Sequence, residues 1–300
     1  AQATWHKPCI SDWCLNSGVM TVTLSLDTNV LTFGSVKCVP IGEGGTALIS
    51  RMSLKGHMVA VKTFKGGSLQ HQLAAKREIA ILSTTDHKNV ISLLSVQVIN
   101  DMPRLVLDLC EGGDLFTLLY KTEVELPYRH MLKILSDVTR GANYLHEHLP
   151  MIMHRDLKSL NLLLPCVYSA GKLPCVKVSD LGSCRMQSSD GDGWSTLTKS
   201  VGTAPWMAPE VPSGIYTHKA DVYSFGMVMF EVLAQQIPFE GEDMSCVPAM
   251  VLLGERPNLD MIPLEVPDEI VDLLLCTWLP DPAMRPSFAT ILQVLTICSE

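Results

Sequence analysis

The sequence lacks the features that would identify several large classes of protein. Its 300 residues carry a formal net charge of −8, so no excess of Lys and Arg is present to attract nucleic acid or an anionic membrane surface. No apolar run approaches the roughly 20 residues of a membrane-spanning helix, and the N-terminus shows no basic-then-apolar signal pattern. We therefore expect neither a nucleic-acid partner nor a membrane span within this chain.

Paired cysteine motifs are missing as well. The ten cysteines are scattered, and none forms the C-x-x-C pair that would indicate a zinc site or a redox motif. In a chain of this length they are typical of reduced thiols in an intracellular protein, so we expect a cytoplasmic location. The hydrophobic fraction of 47% is sufficient for a buried core in one large domain or two moderate ones.

The most informative stretch that is present lies at residues 154–161, which read H-R-D-L-K-S-L-N. They fit the pattern H-R-D-L-x-x-x-N without a mismatch. The carboxylate of Asp156 can accept a proton from an attacking hydroxyl, and the side chain of Asn161 can hold a divalent cation. Such a loop suits the transfer of a charged phosphoryl group, and Lys158 could offset part of that charge.

A glycine-rich run and a strand pattern lie upstream of this loop. Residues 42–49 read G-E-G-G-T-A-L-I, and glycines there let backbone N–H groups approach phosphate oxygens. The glycines equally fit an ordinary turn, but the following strand V-A-V-K, which ends at Lys62, favours the phosphate role. Residues 69–82 predict a helix. Its Glu78 could pair with the ammonium of Lys62, or it could be one solvated charge on a polar helix face.

Two short motifs lie downstream of the loop. Residues 180–182 read D-L-G, and residues 208–210 read A-P-E. An Asp before a Gly is also an everyday turn signal, so the inference depends on its position between the catalytic loop and A-P-E. Asp180 and Asn161 together would bind Mg²⁺, with Mn²⁺ as the alternative.

Together these motifs resemble the protein kinase catalytic domain, over residues 31–298. The resemblance implies an α+β, two-lobed fold, with a small, mainly antiparallel β-sheet N-lobe that has one key helix and a larger, mainly α-helical C-lobe. It also implies an N-terminal extension, an N-lobe, a hinge and a C-lobe at residues 1–30, 31–107, 108–114 and 115–300. The segments around Asp156 and A-P-E are similar to those of the tyrosine-kinase-like group, such as Raf and mixed-lineage kinases.

The resemblance also assigns roles to individual residues. The expected catalytic residues are Asp156, Lys158, Lys62 and Glu78. The residues expected to contact ATP are Lys62, Ile41, Gly42, Glu43, Gly44, Gly45, Ile49, Ala60, Leu107, Asp108, Cys110 and Leu163. Among them Leu107 is the expected gatekeeper, and the backbone of Asp108 and Cys110 is expected to bond the adenine. Structural roles fall to Asp221 and to a Glu210–Arg285 ion pair.

The activity that the resemblance implies is transfer of the γ-phosphate of Mg-ATP to hydroxyls of protein substrates. Lys158 favours serine and threonine as acceptors, as does Thr203, which is expected to bridge Lys158 and Asp156. A tyrosine or dual-specificity kinase is the nearer alternative. A pseudokinase scaffold is opposed by the presence of every expected catalytic and metal-binding residue. The P-loop pattern G-x-x-x-x-G-K-[ST] is absent, which opposes a different class of ATP-using enzyme.

Arg155 suggests regulation, because an Arg just before the base is typical of kinases that are switched by phosphorylation in the activation loop. An upstream kinase or self-phosphorylation would supply the phosphate. The candidate acceptors are Ser195, Thr196, Thr198 and Ser200, although the segment could equally be a polar, mobile loop. Residues 165–174 are an insertion relative to the family, expected to form a surface hairpin without effect on catalysis.

Overall fold

A computed structural model describes residues 13–14, 21–22, 38–44, 47–54, 56–66, 69–99, 102–186 and 203–299. The chain forms two compact units, Ala1–Cys110 and Glu111–Glu300. Most of the predicted N-terminal extension lies outside the described residues, as do the following predicted site residues: Gly45, Ser195, Thr196, Thr198 and Ser200. Within that extension the structure describes only a short antiparallel pair, β1 (Trp13–Cys14) and β2 (Thr21–Val22).

The first unit is built on a five-stranded antiparallel sheet in its described residues. Its strands are β3 (Val39–Glu43), β4 (Ala47–Leu54), β5 (His57–Phe64), β6 (Leu93–Ile99) and β7 (Met102–Asp108). Their spatial order is β3-β4-β5-β7-β6. Helix α1 (Leu69–Thr84) contacts β6 and β7 and extends two residues beyond its predicted end.

Strand β5 is central in this sheet, which explains why its second half is buried almost continuously rather than in alternation. Side chains two residues apart share a face of a strand. The cluster on one face consists of Met52, Leu54, Val59, Val61 and Val106. Lys62, one position on from Val61, therefore projects from the opposite face.

The second unit is mainly helical. Its helices are α2 (Leu115–Tyr120), α3 (Tyr128–Glu147), α4 (Lys219–Ala234), α5 (Val247–Leu252), α6 (Asp268–Thr277) and α7 (Phe288–Ile297). Four two-residue strands accompany them: β8 (Ile152–Met153), β9 (Leu162–Leu163), β10 (Lys177–Val178) and β11 (Arg185–Met186). Strand β8 pairs with β11, and β9 with β10, both antiparallel. The two units confirm the predicted α+β fold, with a sheet-rich part that carries one helix and a helical part.

Helix α4 forms the centre of the second unit. Residues 220–233 are all buried, which is typical of a helix that is apolar on nearly every side. The helix contacts α3 and α6, and its Gly226 lies where α6 comes closest, because a Cβ on Gly226 would stand 2.2 Å from Oγ1 of Thr277. Glycine at this position therefore allows the two helices to pack together.

The insertion at residues 165–174 forms the largely exposed loop between the antiparallel strands β9 and β10, which agrees with the predicted surface hairpin. The segment has no strand; it contains a turn closed by the Lys172 N–H, which donates to Ser169 O. Pro165 and Pro174 have no N–H to contribute to a ladder. The loop is also attached through Tyr168, whose hydroxyl lies 2.8 Å from Nδ1 of the buried His130 on α3.

Candidate active site

The first unit holds a buried ion pair between its sheet and helix α1. Lys62 on β5 donates from Nζ to Oε1 of Glu78 on α1 at 2.6 Å, and both side chains are less than one-tenth exposed. The Nζ atom also stands 5.7 Å from the ring centre of Phe64, two residues along the strand. Of the two roles open to Glu78 from the sequence, the structure shows the pairing with Lys62.

The strand register lines up several of the residues predicted to contact ATP. Gly42 pairs with Ile49, and Ile49 pairs with Lys62, across β3, β4 and β5. Ala60 pairs with Leu107 between β5 and β7, and both are buried. The sheet therefore brings five predicted residues into two adjacent rows.

The turn between β3 and β4 carries the remaining glycine-loop residues that the structure describes. The N–H of Gly44 donates to Ala47 O at 2.9 Å, so in this conformation the turn itself uses that group. Lys65, which the sequence analysis missed, donates to Oε1 of Glu43 and to Gly44 O. Its charge lowers the pKa of the exposed Glu43 carboxyl. Ile41, also on β3, is half exposed.

The predicted hinge residues fall on both sides of the unit boundary. Asp108 ends β7 and donates its N–H to Ser92 O, and Cys110 is the last residue of the first unit. Leu163 lies in the second unit, on β9, in a bridge with Asp114. Close by, Gly112 packs so tightly against the start of the insertion that a Cβ there would stand 2.2 Å from Cys166 O.

In the second unit, the carboxylate of Asp156 is held by three side chains. Lys158 donates to Oδ2 at 2.7 Å, Asn161 Nδ2 reaches the same oxygen at 3.1 Å, and Thr203 donates to Oδ1 at 3.2 Å. Lys158 also donates to the Thr203 hydroxyl at 2.7 Å, so Thr203 forms the bridge that the sequence predicted. Both carboxylate oxygens are thereby fixed in direction.

The hydrogen bonds of His154 define its tautomer. Its Nδ1 accepts the Asp156 N–H at 3.3 Å, and its Nε2 lies 2.9 Å from Ser179 O. A ring nitrogen that faces a carbonyl must carry the proton, so His154 is neutral with hydrogen on Nε2. The buried ring thus links the catalytic loop to the segment that ends at Asp180.

The two predicted metal ligands lie on neighbouring segments. Ser179, directly before Asp180, donates both its N–H and its hydroxyl to Asn161 O at 2.9 Å. Asn161 Nδ2 donates to Asp156 O at 2.7 Å, which leaves Oδ1 as the side-chain oxygen available to a cation. Asp180 adopts φ 58°, in the left-handed region. An amide oxygen and a carboxylate are ligands that a hard divalent cation prefers, so these two residue types fit the predicted metal.

Asp221 on α4 anchors the start of the catalytic loop. Its carboxylate accepts the N–H groups of His154 and Arg155, each at 2.8 Å, and lies 2.9 Å from Nε2 of His146. Burial would raise the pKa of Asp221, but the hydrogen bonds from His146 and from the Arg155 N–H lower it below its ordinary value. Arg155 is held at φ 70° by this contact.

The side chain of Arg155 points toward the segment after A-P-E. Its Nε donates to the Tyr216 hydroxyl at 2.9 Å, and the guanidinium lies 5.9 Å from the centre of that ring. The second terminal nitrogen, Nη2, is buried and has no hydrogen-bond partner among the described residues. The N–H groups of such a buried nitrogen can donate hydrogen bonds to an anion.

The Glu210–Arg285 ion pair is present. Nη1 of Arg285 donates to Oε1 of Glu210 at 2.7 Å, and Nη2 donates to Oε2 at 2.9 Å. The Arg285 side chain is fully buried, and it also donates to the carbonyls of Leu279 and Lys219. This two-point geometry fixes the A-P-E segment to the region before α7.

Several residues that position these groups could not be predicted from the sequence. Their partners lie far away along the chain, and their types are common in ordinary helices and loops. No pattern in the sequence pointed to them, since each gains its role only through the fold. They are Lys65, His146, Ser159, Tyr216 and Glu231.

Each unit thus carries its own part of a phosphoryl-transfer apparatus. The first has a buried Lys–Glu pair on a sheet, and the second has an oriented carboxylate beside a lysine and a pair of oxygen ligands. A Lys–Glu pair, an H-R-D-L-x-x-x-N loop and a D-x-G motif in this order define a phosphotransferase of the protein kinase class.

Comparison with known sequences agrees. Residues 33–295 match the family model for protein tyrosine and serine/threonine kinases. The probable serine/threonine-protein kinase gdt4 of Dictyostelium discoideum is 31% identical over 256 residues, which cover 85% of this chain and 15% of that protein. The serine/threonine-protein kinase STY17 of Arabidopsis thaliana is 32% identical, covering 79% of this chain and 40% of that protein. The dual specificity protein kinase pyk3 of D. discoideum is 31% identical, covering 85% and 18%.

The chain therefore belongs to the protein kinase family, and it spans less than half the length of these three relatives. Members of the family use ATP and a divalent cation. No helix of the described residues is long and apolar enough to cross a membrane.

Proposed function

We propose that this chain is a serine/threonine-protein kinase domain that phosphorylates protein substrates, within the tyrosine-kinase-like group. The observation that carries the proposal is the network of Asp156, Lys158 and Thr203, which fixes the direction of a carboxylate that can take a proton from a hydroxyl. Relatives named as serine/threonine-protein kinases, across most of this chain, support the same acceptor.

In the proposed mechanism, Asp156 orients the substrate hydroxyl and takes its proton as the oxygen bonds to the γ-phosphorus. The bond between that phosphorus and the β–γ bridging oxygen breaks, and ADP leaves. Lys158 offsets negative charge on the transferred group, and Lys62, fixed by Glu78, grips the other phosphates. Asn161 and Asp180 would hold Mg²⁺, which would neutralise phosphate charge. Positioning and electrostatics supply most of the rate.

The remaining predictions on the nucleotide belong to the same proposal. The adenine is proposed to bond the backbone of Asp108 and Cys110 beside the gatekeeper Leu107. The hinge is proposed at residues 108–114, within a domain of about residues 31–298. In support, the boundary between the two compact units falls after Cys110.

We further propose cytoplasmic location and control by phosphorylation at Ser195, Thr196, Thr198 or Ser200, by an upstream kinase or by the chain itself. The buried Nη2 of Arg155 supports the second point, because it lacks a partner among the described residues and could pair with a phosphate. Free thiols at eight cysteines in the described part of the chain support a reducing compartment.

The proposal is tested by incubating the protein with Mg-ATP and a degenerate peptide library and identifying the modified hydroxyl. We expect phosphoserine and phosphothreonine. Asp156→Asn and Lys62→Met should remove the transfer while circular dichroism shows an intact fold. Matched controls are Asp272→Asn and Lys76→Met, which change exposed residues of α6 and α1 and should leave activity unchanged.

Two outcomes would contradict this assignment. Transfer at the wild-type rate by Asp156→Asn or Lys62→Met would refute the proposed roles of those residues. Modification of tyrosine as well as serine and threonine would favour the second candidate, a dual-specificity kinase, which the relative pyk3 supports by its name.

A further inference from the structure

Glu231 on α4 has no part in the mechanism above, yet it is the most enclosed carboxylate near the catalytic loop. Its side chain is fully buried. It accepts hydrogen bonds from the Ser159 hydroxyl at 2.5 Å, the Trp206 indole at 2.6 Å and the Tyr120 hydroxyl at 3.2 Å. All three partners are neutral, so these bonds, rather than an ion pair, offset the cost of burying the charge.

Two of these donors belong to the two segments that build the catalytic network. Ser159 lies within the catalytic loop, between Asp156 and Asn161. Trp206 lies three residues after Thr203, which itself donates to Asp156. The two segments are therefore joined at one end by the Asp156–Thr203 contact, and at the other end by the carboxylate of Glu231.

Helix α4 provides the frame for this connection. Asp221 accepts the backbone N–H groups of the catalytic loop, and Ser224 donates to Trp206 O at 2.7 Å. Spacings of three and seven residues place Asp221, Ser224 and Glu231 along one side of the helix. Trp206 is held at both its carbonyl and its indole. Of Asp221, Ser224 and Glu231, Glu231 alone contacts both segments through side chains.

The charge of Glu231 can change near neutral pH. Burial raises its pKa to about 7, although the hydrogen bonds from Ser159, Trp206 and Tyr120 act in the opposite direction. A protonated carboxyl accepts less strongly and gains a donor, so its bond with the indole N–H weakens. The titratable side chain in contact with Glu231 is that of Tyr120 on α2. Burial and the charges of Glu231 and Glu240 raise the pKa of the Tyr120 hydroxyl, so this hydroxyl stays neutral.

We propose that Glu231 is a positioning residue for phosphoryl transfer, which holds the catalytic loop and the Thr203–Trp206 segment in one arrangement through Ser159 and Trp206. This inference rests on the proposed kinase activity. Glu231 acts through residues that lie beside the base, so it should influence the turnover step. It should not influence the affinity for ATP that depends on Lys62, which lies in the other unit.

The test uses Glu231→Gln, which keeps the volume of the side chain. The amide oxygen can still accept from the Trp206 indole, while the amide nitrogen faces Ser159, whose hydroxyl can rotate to accept. The fold should therefore survive. We expect kcat for a peptide substrate to fall about tenfold while KM for ATP stays within about twofold of the wild type. Glu242→Gln, on an exposed loop, is the matched control and should change neither constant.

Two partner variants show whether the effect passes through the proposed contacts. Trp206→Phe removes the indole donor, and Ser159→Ala removes the hydroxyl. Because Glu231 acts through these groups, Glu231→Gln combined with Trp206→Phe should lower kcat less than the product of the two single effects. Independent, multiplicative losses would overturn the proposal.

An NMR titration gives a readout that is separate from activity. The indole N–H resonance of Trp206, assigned with Trp206→Phe, should move with a midpoint near pH 7 in the wild type and should not titrate in Glu231→Gln. An active wild type whose Glu231→Gln variant keeps the wild-type kcat would overturn this inference alone. A wild type that phosphorylates no hydroxyl would overturn the proposed function, and the inference with it.

Discussion

Removal of the Arg285 guanidinium is the sharpest test of how the second unit is held together. Arg285→Ala leaves the Glu210 carboxylate, whose side chain is 16% exposed, without its two donors. It also takes a donor from the carbonyls of Leu279 and Lys219. Removing one partner of a buried ion pair costs about 3–5 kcal/mol, a large share of the stability of a domain of this size.

The measurement is urea unfolding followed by tryptophan fluorescence. Trp206 and Trp278 are both buried in the second unit and therefore report on its unfolding. Arg285→Lys should lose less, because it keeps the charge although it cannot form the two-point contact. Lys172→Ala, at an exposed position of the insertion, is the control and should change stability by no more than about 0.5 kcal/mol.

A double variant separates the ion pair from the remaining contacts of Arg285. Glu210→Ala with Arg285→Ala should be more stable than the sum of the two single losses predicts, because the second change removes the carboxylate that the first left unpaired. If Arg285→Ala unfolds at the same urea concentration as Lys172→Ala, the reasoning from burial and two-point bonding is refuted.

Two further predictions concern helix α4. Gly226→Ala should destabilise the second unit by about 1–3 kcal/mol, measured by urea unfolding, because the added methyl meets Thr277 at 2.2 Å. Adding Thr277→Ala should restore part of the lost stability. Equal stability of Gly226→Ala and the wild type would contradict this reasoning. Asp221 has a lowered pKa in the folded state, so its contribution to stability is present above the unfolded value of about 3.9 and is lost as pH falls through the folded value. Asp221→Asn should flatten the acid-unfolding curve in that range, measured by circular dichroism, and an unchanged curve would argue against the contribution.

The chemistry-bearing residues could be found from the sequence because their spacing is local. His154 to Asn161 form one loop, and the strand before Lys62 shows its own hydrophobic pattern. The end-points of elements were less predictable: α1 continues to Thr84, because the packing of its last turn is not visible in residue types. Asp221 was identified through resemblance, although its contacts with His154 and Arg155 span more than sixty positions.

The hydrogen-bond partners of the catalytic groups could not be derived in the same way. Glu231 reads in the sequence as one polar residue in an apolar helix, and its partners Ser159 and Trp206 are ordinary residues in their own segments. Only the fold brings them within bonding distance. Composition predicted the loop at residues 165–174, which joins the antiparallel strands β9 and β10, but not the contact of its Tyr168 with His130.

The burial of α4 on every side has a consequence for the synthesis of the chain. Its partners include α3, which precedes it, and α6, which follows it, and α7 packs on both of those helices. A nascent chain that ends just after Ala234 exposes a largely apolar segment, and part of the surface that covers it has not yet left the ribosome. Completion of this core must await translation through Thr277, which makes the intermediate chain a natural client for chaperones.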